Sequence, residues 1–94
     1  MDCKSVTYSG HAIQRIFERK IAEADITEVI CSGDVIAEYP HDIPYPSYLL
    51  LGFLRNTPLH VLIGKDDENG NWYVVTTYVP SRDIWNDDYK TRRA

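Results

Sequence analysis

The first third of the chain carries apolar residues at helical spacing. Between residues 10 and 21 they recur every three to four positions, which places them on one face of a helix: Ala12, Ile13, Ile16, Phe17 and Ile21. Ser9 precedes this face and is a good N-cap, because its hydroxyl can accept a hydrogen bond from an unpaired amide of the first turn. A second stripe, formed by Ile26, Val29 and Ile30, stops at Gly33, a residue that favours a helix end. The pattern predicts helices over residues 10–20 and 23–32.

After Gly33 the chain changes to short runs of β-branched, aromatic and leucine residues. These runs predict strands at about 34–39, 48–54, 59–63 and 72–79, followed by a polar tail over residues 81–94. Asn69-Gly70 is a strong hairpin signal between the last two strands. Because hairpin-length links imply antiparallel pairing, the sequence predicts an α+β fold. In it, two N-terminal helices pack on one face of a roughly four-stranded antiparallel sheet.

The composition is typical of a small globular protein. The chain has 94 residues, of which 44% are hydrophobic and 26% charged, and we expect a single domain over residues 1–94. No apolar run approaches the ~20 residues of a membrane span, and the N-terminus lacks the hydrophobic core of a secretory signal. We therefore expect a cytoplasmic, bacterial-type protein with no membrane partner. Cys3 and Cys31 lie far apart without metal-ligand spacing, and we expect both to be free thiols.

The net charge of −4 weighs against a non-specific nucleic-acid binder, because such proteins gain affinity by neutralising phosphates and are usually basic. The charges are, however, unevenly placed. Acidic residues collect within 23–38, 66–68 and 83–88, whereas basic residues collect within 15–20 and at Arg92-Arg93. A local positive cleft on an acidic protein is compatible with this pattern.

The chemistry-bearing residues suit phosphate better than a metal or a cofactor. The sequence has no nucleophile elbow, no Gly-rich phosphate loop and no paired histidine spacing, so neither a cofactor nor a metal is expected. The remaining candidate catalytic residues are His11, Arg15, Arg19, His60 and Tyr78, and the candidate substrate-binding residues are Trp85, Arg92 and Arg93. Arginine offers a planar fork of donors to phosphate, and histidine moves protons near neutral pH. RNA cleavage without a metal needs a base, a cation and an acid, which this set contains.

Each of these residues also has a structural reading. Arg15 and Arg19 are equally consistent with exposed helix charges, and an Arg19–Glu23 pair would contribute only ~0.3 kcal/mol. His60 lies in an apolar strand, where a hydrogen-bonded core histidine is the more frequent case. Tyr78 and Trp85 are of types that more often pack than react. The spacing alone does not show whether the candidate residues converge.

The segments "YSGHAIQRIFERKI", "DVIAEYP", "YLLLG", "PLHVLI" and "VVTTYVPSRDIWNDDYKTRR", in this order, resemble a small bacterial family, the domain-of-unknown-function family 4258. That family is distantly similar to the RelE/ParE-type toxins, including the BrnT branch. The resemblance implies helices on a small antiparallel sheet, and many members of that superfamily are metal-independent ribonucleases, whereas others poison gyrase. The motif positions that carry over are His11, Ala12, Arg15, Arg19, Thr77, Tyr78, Pro80, Trp85 and Arg92-Arg93.

Two hypotheses follow. In the first, the domain is RelE-like, binds RNA or a ribosome, cleaves RNA, and has an antitoxin protein as partner. Arg15 and Arg19 then hold phosphate, His11 or His60 is the base, and Tyr78 or Arg92 assists the leaving group. In the second, it is a non-catalytic protein-interaction or oligomerising domain, a homodimer through a sheet edge being one form. The arginines would then tie the tail to the sheet through Asp87 or Asp88.

Overall fold

In the part of the chain that the structure describes, a short strand comes first, two helices follow it, and four strands follow the helices. The computed structural model describes residues 6–43, 45–66 and 71–92. Its elements are β1 (Val6–Tyr8), α1 (Gly10–Arg19), α2 (Glu23–Ser32), β2 (Asp34–Tyr39), β3 (Ser47–Leu54), β4 (Thr57–Asp66) and β5 (Asn71–Tyr78). The predicted α+β class with two helices is confirmed. Pro44, the Asn69-Gly70 turn, Cys3 and Arg93 lie outside the described residues.

The strands form one mixed sheet in the order β1-β5-β4-β3-β2. β2 to β5 pair antiparallel with their neighbours, whereas β1 runs parallel to β5, with Val6 opposite Trp72 and Tyr8 opposite Val74. The prediction of four antiparallel strands is therefore wrong in strand number and direction. The physical reason is that β1 spans three residues, too few for a period to show. Its partner is also distant in sequence, because both helices and β2 to β4 lie between β1 and β5 along the chain, a long connection of the kind that parallel pairing needs.

The core lies between the helices and one face of the sheet. Ile26, Val29 and Ile30 of α2 are at most 1% exposed and meet the inward-facing side chains Leu50, Leu59, Val61, Ile63, Trp72 and Val74. The close fit of α2 depends on glycine, because a Cβ at Gly52 would lie 2.7 Å from Val29 Cγ2. The predicted buried stripe of α2 is thus confirmed.

α1 buries only part of its apolar face. Ser9 caps the helix as predicted, its hydroxyl accepting the Ala12 amide at 3.0 Å, and Ala12 is fully buried. Ile13 and Phe17, however, are 58% and 86% exposed. α1 lies against β5 near the margin of the sheet, so that half of its apolar stripe faces solvent.

The C-terminal segment, residues 81–92, covers part of the sheet face that the helices leave open. It has no helix or strand of its own beyond an isolated bridge between Trp85 and Arg92. Trp85 is 6% exposed, and Tyr89 contacts Phe53 of β3 edge-to-face at a centroid distance of 6.2 Å. The segment is therefore held on the sheet mainly by aromatic rings.

Two further expectations concerned the cysteines and membrane-spanning segments. Cys31 is disulfide-bonded, so the prediction of a free thiol there is wrong. Sequence spacing carries no information on which cysteine sulfurs the fold brings together. Within the described ranges, no helix is long and apolar enough to cross a membrane.

Candidate functional site

His60 lies at the centre of the polar contacts on the open face of the sheet. It belongs to β4, is fully buried, and both ring nitrogens have partners. Nδ1 lies 3.2 Å from the Tyr78 hydroxyl oxygen, and Nε2 lies 2.8 Å from the Tyr89 carbonyl oxygen. Because a carbonyl only accepts, Nε2 carries the proton and Nδ1 accepts a hydrogen bond from the Tyr78 hydroxyl. His60 therefore has the position of a hydrogen-bonded core histidine, which was the more frequent case expected for an apolar strand.

The surroundings keep the His60 ring neutral. Burial lowers the pKa of His60 below its ordinary value, and the hydrogen bond to the Tyr89 carbonyl opposes this effect only in part. Trp85 packs edge-on to the imidazole, with centroids 4.6 Å apart and an interplanar angle of 86°. The Arg92 guanidinium carbon lies over the Trp85 ring, 5.4 Å from its centroid. A proton that reached His60 would thus sit in a dry, aromatic environment.

Tyr78 connects His60 to an open cleft. Burial, together with the nearby Tyr39, raises the pKa of the Tyr78 hydroxyl, and the positive charges of Arg92 and Arg19 counteract this rise. The phenol therefore stays protonated at neutral pH and donates a hydrogen bond to His60 Nδ1. Tyr78 also lines a cleft of about 420 Å³. We call this the arginine cleft; its lining includes Arg19, Ile21, Tyr78, Val79, Ile84 and Trp85.

The position of Arg19 follows from the shortness of β1. β1 pairs with β5 only up to Val74, and the Ser9 hydroxyl donates to the Val75 carbonyl at 3.2 Å, so the outer edge of β5 beyond Val75 has no strand partner in the described ranges. The Arg19 guanidinium fills this edge, with Nη1 donating to the Thr77 carbonyl at 2.8 Å. An arginine side chain has five N–H donors, and this bond uses one of them. Arg19 is thereby anchored beside Tyr78 with donors left for an anion.

A second hollow continues the arginine cleft and adds positive charge. It measures about 250 Å³, shares Arg19, Ile21 and Val79 with the cleft, and is also lined by Lys20 and Arg55. Both of these residues have positive φ, 55° for Lys20 and 50° for Arg55, and both lie in tight turns. Arg55 pairs with Asp25 at 3.0 Å. The two hollows together therefore have three cations and one carboxylate in their lining.

The structure brings some of the predicted site residues together and leaves others apart. Arg19, His60, Tyr78, Trp85 and Arg92 form one group. His11 is exposed at the start of α1, about 12 Å along the helix axis from Arg19. Arg15 forms an ion pair with Glu18 at 2.9 Å and lines neither hollow.

The row of three basic residues on α1 is therefore split, because only its C-terminal member reaches the open edge of β5. The tail is not tied to the sheet by Arg15 or Arg19, as the second hypothesis expected. Arg19 binds the sheet backbone and Arg15 pairs within its own helix.

The two tail carboxylates have partners within the tail. Asp87 pairs with Arg82, and Asp88 accepts hydrogen bonds from the backbone amides of Lys90 and Thr91.

Three contributors to this site were not predicted from the sequence: Lys20, Arg55 and the Tyr89 carbonyl. Lys20 ends α1 in a left-handed conformation, and Arg55-Asn56 forms the two-residue turn between β3 and β4, both with positive φ. The short polar link "RNTP" is typical of a turn but does not indicate that the turn lies beside Arg19. A backbone carbonyl carries no signal of its own in the sequence. Among the described residues, no cluster of three or more histidine, cysteine or acidic side chains is placed to hold a metal ion.

Comparisons with known proteins give one match. No curated protein and no solved structure matches the chain. A protein-family model, described as a domain of unknown function (DUF4258), matches residues 8–79. This range includes both helices, all of β2 to β5, and the site residues Arg19, His60 and Tyr78. The chain therefore belongs to the DUF4258 family.

Proposed function

We propose that this domain binds single-stranded RNA by its phosphates in the arginine cleft and cleaves the backbone at a 2′-hydroxyl. The observation that carries this proposal is that Arg19 and Tyr78 line one cleft while Tyr78 is hydrogen-bonded to a neutral, buried imidazole. Arg19 is a fixed cation that can bind a phosphate, and the hydrogen bond between Tyr78 and His60 is a route for a proton. A relationship to RelE-type ribonuclease toxins, which we expect from the sequence motifs, is part of the proposal and would fit this chemistry.

The proton path in this proposal runs inward. The 2′-oxygen attacks the adjacent phosphorus, its proton passes to the Tyr78 oxygen, and the Tyr78 proton passes to His60 Nδ1. The bond between phosphorus and the 5′-oxygen breaks, and that oxygen takes a proton from a solvent water. His60 then returns its proton to the resulting hydroxide through Tyr78. The products are a 2′,3′-cyclic phosphate and a 5′-hydroxyl.

Electrostatics supports these roles. Charge develops on the non-bridging phosphate oxygens during the attack, and a guanidinium fixed at that point stabilises it more in the transition state than in the ground state. Arg19 is fixed by its bond to the Thr77 carbonyl. The bond from His60 Nε2 to the Tyr89 carbonyl strengthens when the imidazole becomes charged, because hydrogen bonds from ionised donors are stronger.

The test compares two site variants with two matched controls on a fluorescent single-stranded RNA. Tyr78→Phe removes the hydroxyl and keeps the ring, and we expect it to lower the cleavage rate by about 10²-fold or more while RNA binding persists. Arg19→Gln should weaken both binding and cleavage and reduce the salt dependence of binding by about one charge. The controls are Tyr48→Phe, on the helix-covered face of the sheet, and Arg15→Gln, on the same helix but outside the cleft.

The product ends distinguish this chemistry from contamination by another nuclease, and mass spectrometry should detect cyclic phosphate termini. Cleavage by Tyr78→Phe at the wild-type rate would refute the role of the Tyr78–His60 pair. Loss of activity to the same degree in Arg15→Gln and Arg19→Gln would refute the cleft as the phosphate site.

One observation favours a second candidate function, binding of a protein partner such as an antitoxin. Ile13 and Phe17 border an apolar hollow of about 350 Å³ whose other lining residues are Tyr8, Ile16 and Glu23. Residues spaced by four on a helix are the usual anchors for an amphipathic partner helix. Glu23 in the lining of this hollow and the net charge of −4 favour a partner helix with basic residues. A loss of partner binding in Phe17→Ser, with RNA cleavage unchanged, would separate this surface from the cleft.

A further inference from the structure

A bulge in β5 places two tyrosines on the same face of the sheet. Tyr73 and Tyr78 are five positions apart, so strict alternation would put their side chains on opposite faces. The pairing of β4 with β5 shifts, however, from Ile63 opposite Val74 to Leu62 opposite Thr76. The extra residue on β5 is Val75. Both tyrosines therefore lie on the face away from the helices.

Tyr73 forms an aromatic pair at the far end of this face. The rings of Tyr73 and Tyr45 are stacked, with centroids 5.5 Å apart and an interplanar angle of 4°; we call this pair the tyrosine platform. The residue opposite Tyr73 on β4 is Gly64, and a Cβ there would lie 3.7 Å from the Tyr45 Cβ. Tyr45 therefore lies over Gly64 at ordinary van der Waals distance.

The platform borders a hollow of about 280 Å³ that is mostly apolar and has one charged side chain. The hollow is lined by Asp42, Ile43, Tyr45, Leu62, Tyr73 and Val75, among others. Asp42 is held in place by Ser47, whose buried hydroxyl donates to its Oδ2. A carboxylate repels phosphate, so this hollow is unsuited to the RNA backbone. Carboxylate oxygens accept from N–H donors, and aromatic faces stack on nucleobases.

Position and chemistry together indicate which part of an RNA would lie here. The separation of Tyr73 and Tyr78 along β5 is about 16 Å, a span that a short stretch of single strand can bridge. Among the bases, guanine presents two parallel donors, its N1–H and its 2-amino group, which match the two oxygens of one carboxylate. Adenine and cytosine present one amino group, and uracil presents one imino group.

We propose that the hollow beside the tyrosine platform is a base-binding subsite that takes guanine, stacked on an outer face of the platform and hydrogen-bonded to Asp42. This inference rests on the proposed RNA function and adds its base preference. A phosphate of the same strand lies in the arginine cleft. The alternative is that Tyr45 serves only to cover Gly64 and to attach its loop to the sheet.

The test uses nucleosides without phosphate, so that the arginine cleft plays no part. Guanosine, inosine and adenosine are titrated into the ¹⁵N-labelled protein, and amide shifts are followed by NMR. We expect guanosine to shift amides at Asp42, Tyr73 and Val75, inosine to bind more weakly because it lacks the 2-amino group, and adenosine to bind more weakly still. Tyr73→Leu should weaken guanosine binding at least about fivefold, whereas Phe17→Leu, a control at an exposed aromatic on α1, should not.

A second variant tests the polar contact separately from stacking. Asp42→Asn keeps the size of the side chain but replaces one acceptor oxygen with a donor group, so the preference for guanosine over adenosine should disappear while stacking persists. The absence of guanosine-induced shifts in the hollow would overturn the proposal, as would an unchanged preference in Asp42→Asn. If RNA cleavage depends on Tyr78 but guanosine does not bind, the subsite fails and the proposed function stands. If guanosine binds but RNA is neither bound nor cleaved, the proposed RNA function fails and the guanosine site stands.

Discussion

Acid should destabilise this domain through His60, and the structure gives the sign and the upper limit of the effect. The imidazole is fully buried, and burial lowers its pKa in the folded state. In the unfolded chain the histidine pKa is about 6.5. Well above that value the ring is neutral in both states and its ionisation contributes nothing. As the pH falls through about 6.5, the unfolded chain takes up a proton that the folded protein does not.

The slope of this loss follows from proton linkage. One additional proton bound by the unfolded state lowers the free energy of unfolding by at most about 1.4 kcal/mol per pH unit. Between pH 6.5 and pH 5 the contribution is therefore at most about 2 kcal/mol. The loss ends only when the pH falls below the folded-state pKa.

The assay is urea unfolding of the wild type, His60→Gln and His11→Gln at pH 8, 7, 6 and 5. Glutamine at position 60 keeps an amide donor for the Tyr89 carbonyl and does not titrate, so this variant should lose less stability between pH 7 and pH 5 than the wild type. His11→Gln is the matched control, because His11 is exposed at the start of α1 and outside the His60 contacts. Parallel pH curves for the wild type and His60→Gln would refute the reasoning. Should His60→Gln not fold, NMR titration of the wild-type His60 ring decides, because a pKa at or above 6.5 refutes it equally.

Three further outcomes are expected. Gly33→Ala should lower the free energy of unfolding by about 1–3 kcal/mol, because the new Cβ would lie 2.5 Å from the Val29 carbonyl oxygen. Gly10→Ala, where the Cβ meets nothing within 4 Å, should not destabilise in the same urea titration. Ser9→Ala should cost about 1 kcal/mol through loss of the α1 cap, measured likewise, and a change near zero would contradict the capping role. Induced expression in a bacterial host should arrest growth and degrade RNA for the wild type but not for Tyr78→Phe, and equal growth of both, with soluble protein present, would exclude a toxin in that host.

The parts of the fold that local pattern determines were predictable, and those set by distant pairing were not. The apolar spacing in Ile26, Val29 and Ile30 and the cap at Ser9 are local signals, and the structure contains both. β1 gave no such signal, because a three-residue strand is defined by its partner β5 rather than by its own sequence. The same holds for the disulfide at Cys31.

The candidate site shows the same division. The residue types at Arg19, His60 and Tyr78 suggested proton and phosphate chemistry from sequence alone. Their convergence depends on strand register, which places His60 opposite Tyr78, and on the open edge of β5, which selects Arg19 over Arg15. Neither register nor edge exposure is encoded in the spacing of these residues along the chain. The apolar pattern of α1 likewise predicted a buried Phe17, and that side chain is exposed.

The C-terminal segment has a consequence for where the unit of folding ends. The family match stops at residue 79, yet the acceptor for His60 Nε2 is the main-chain oxygen of Tyr89. Because that acceptor is backbone, no side-chain replacement at position 89 removes it, whereas a shortened chain would. A version cut at residue 79 would retain both helices and all five strands but leave the imidazole without its acceptor and without the Trp85 ring. The region that matches the family model therefore ends before the folded unit does, because residues 81–92 complete the surroundings of His60.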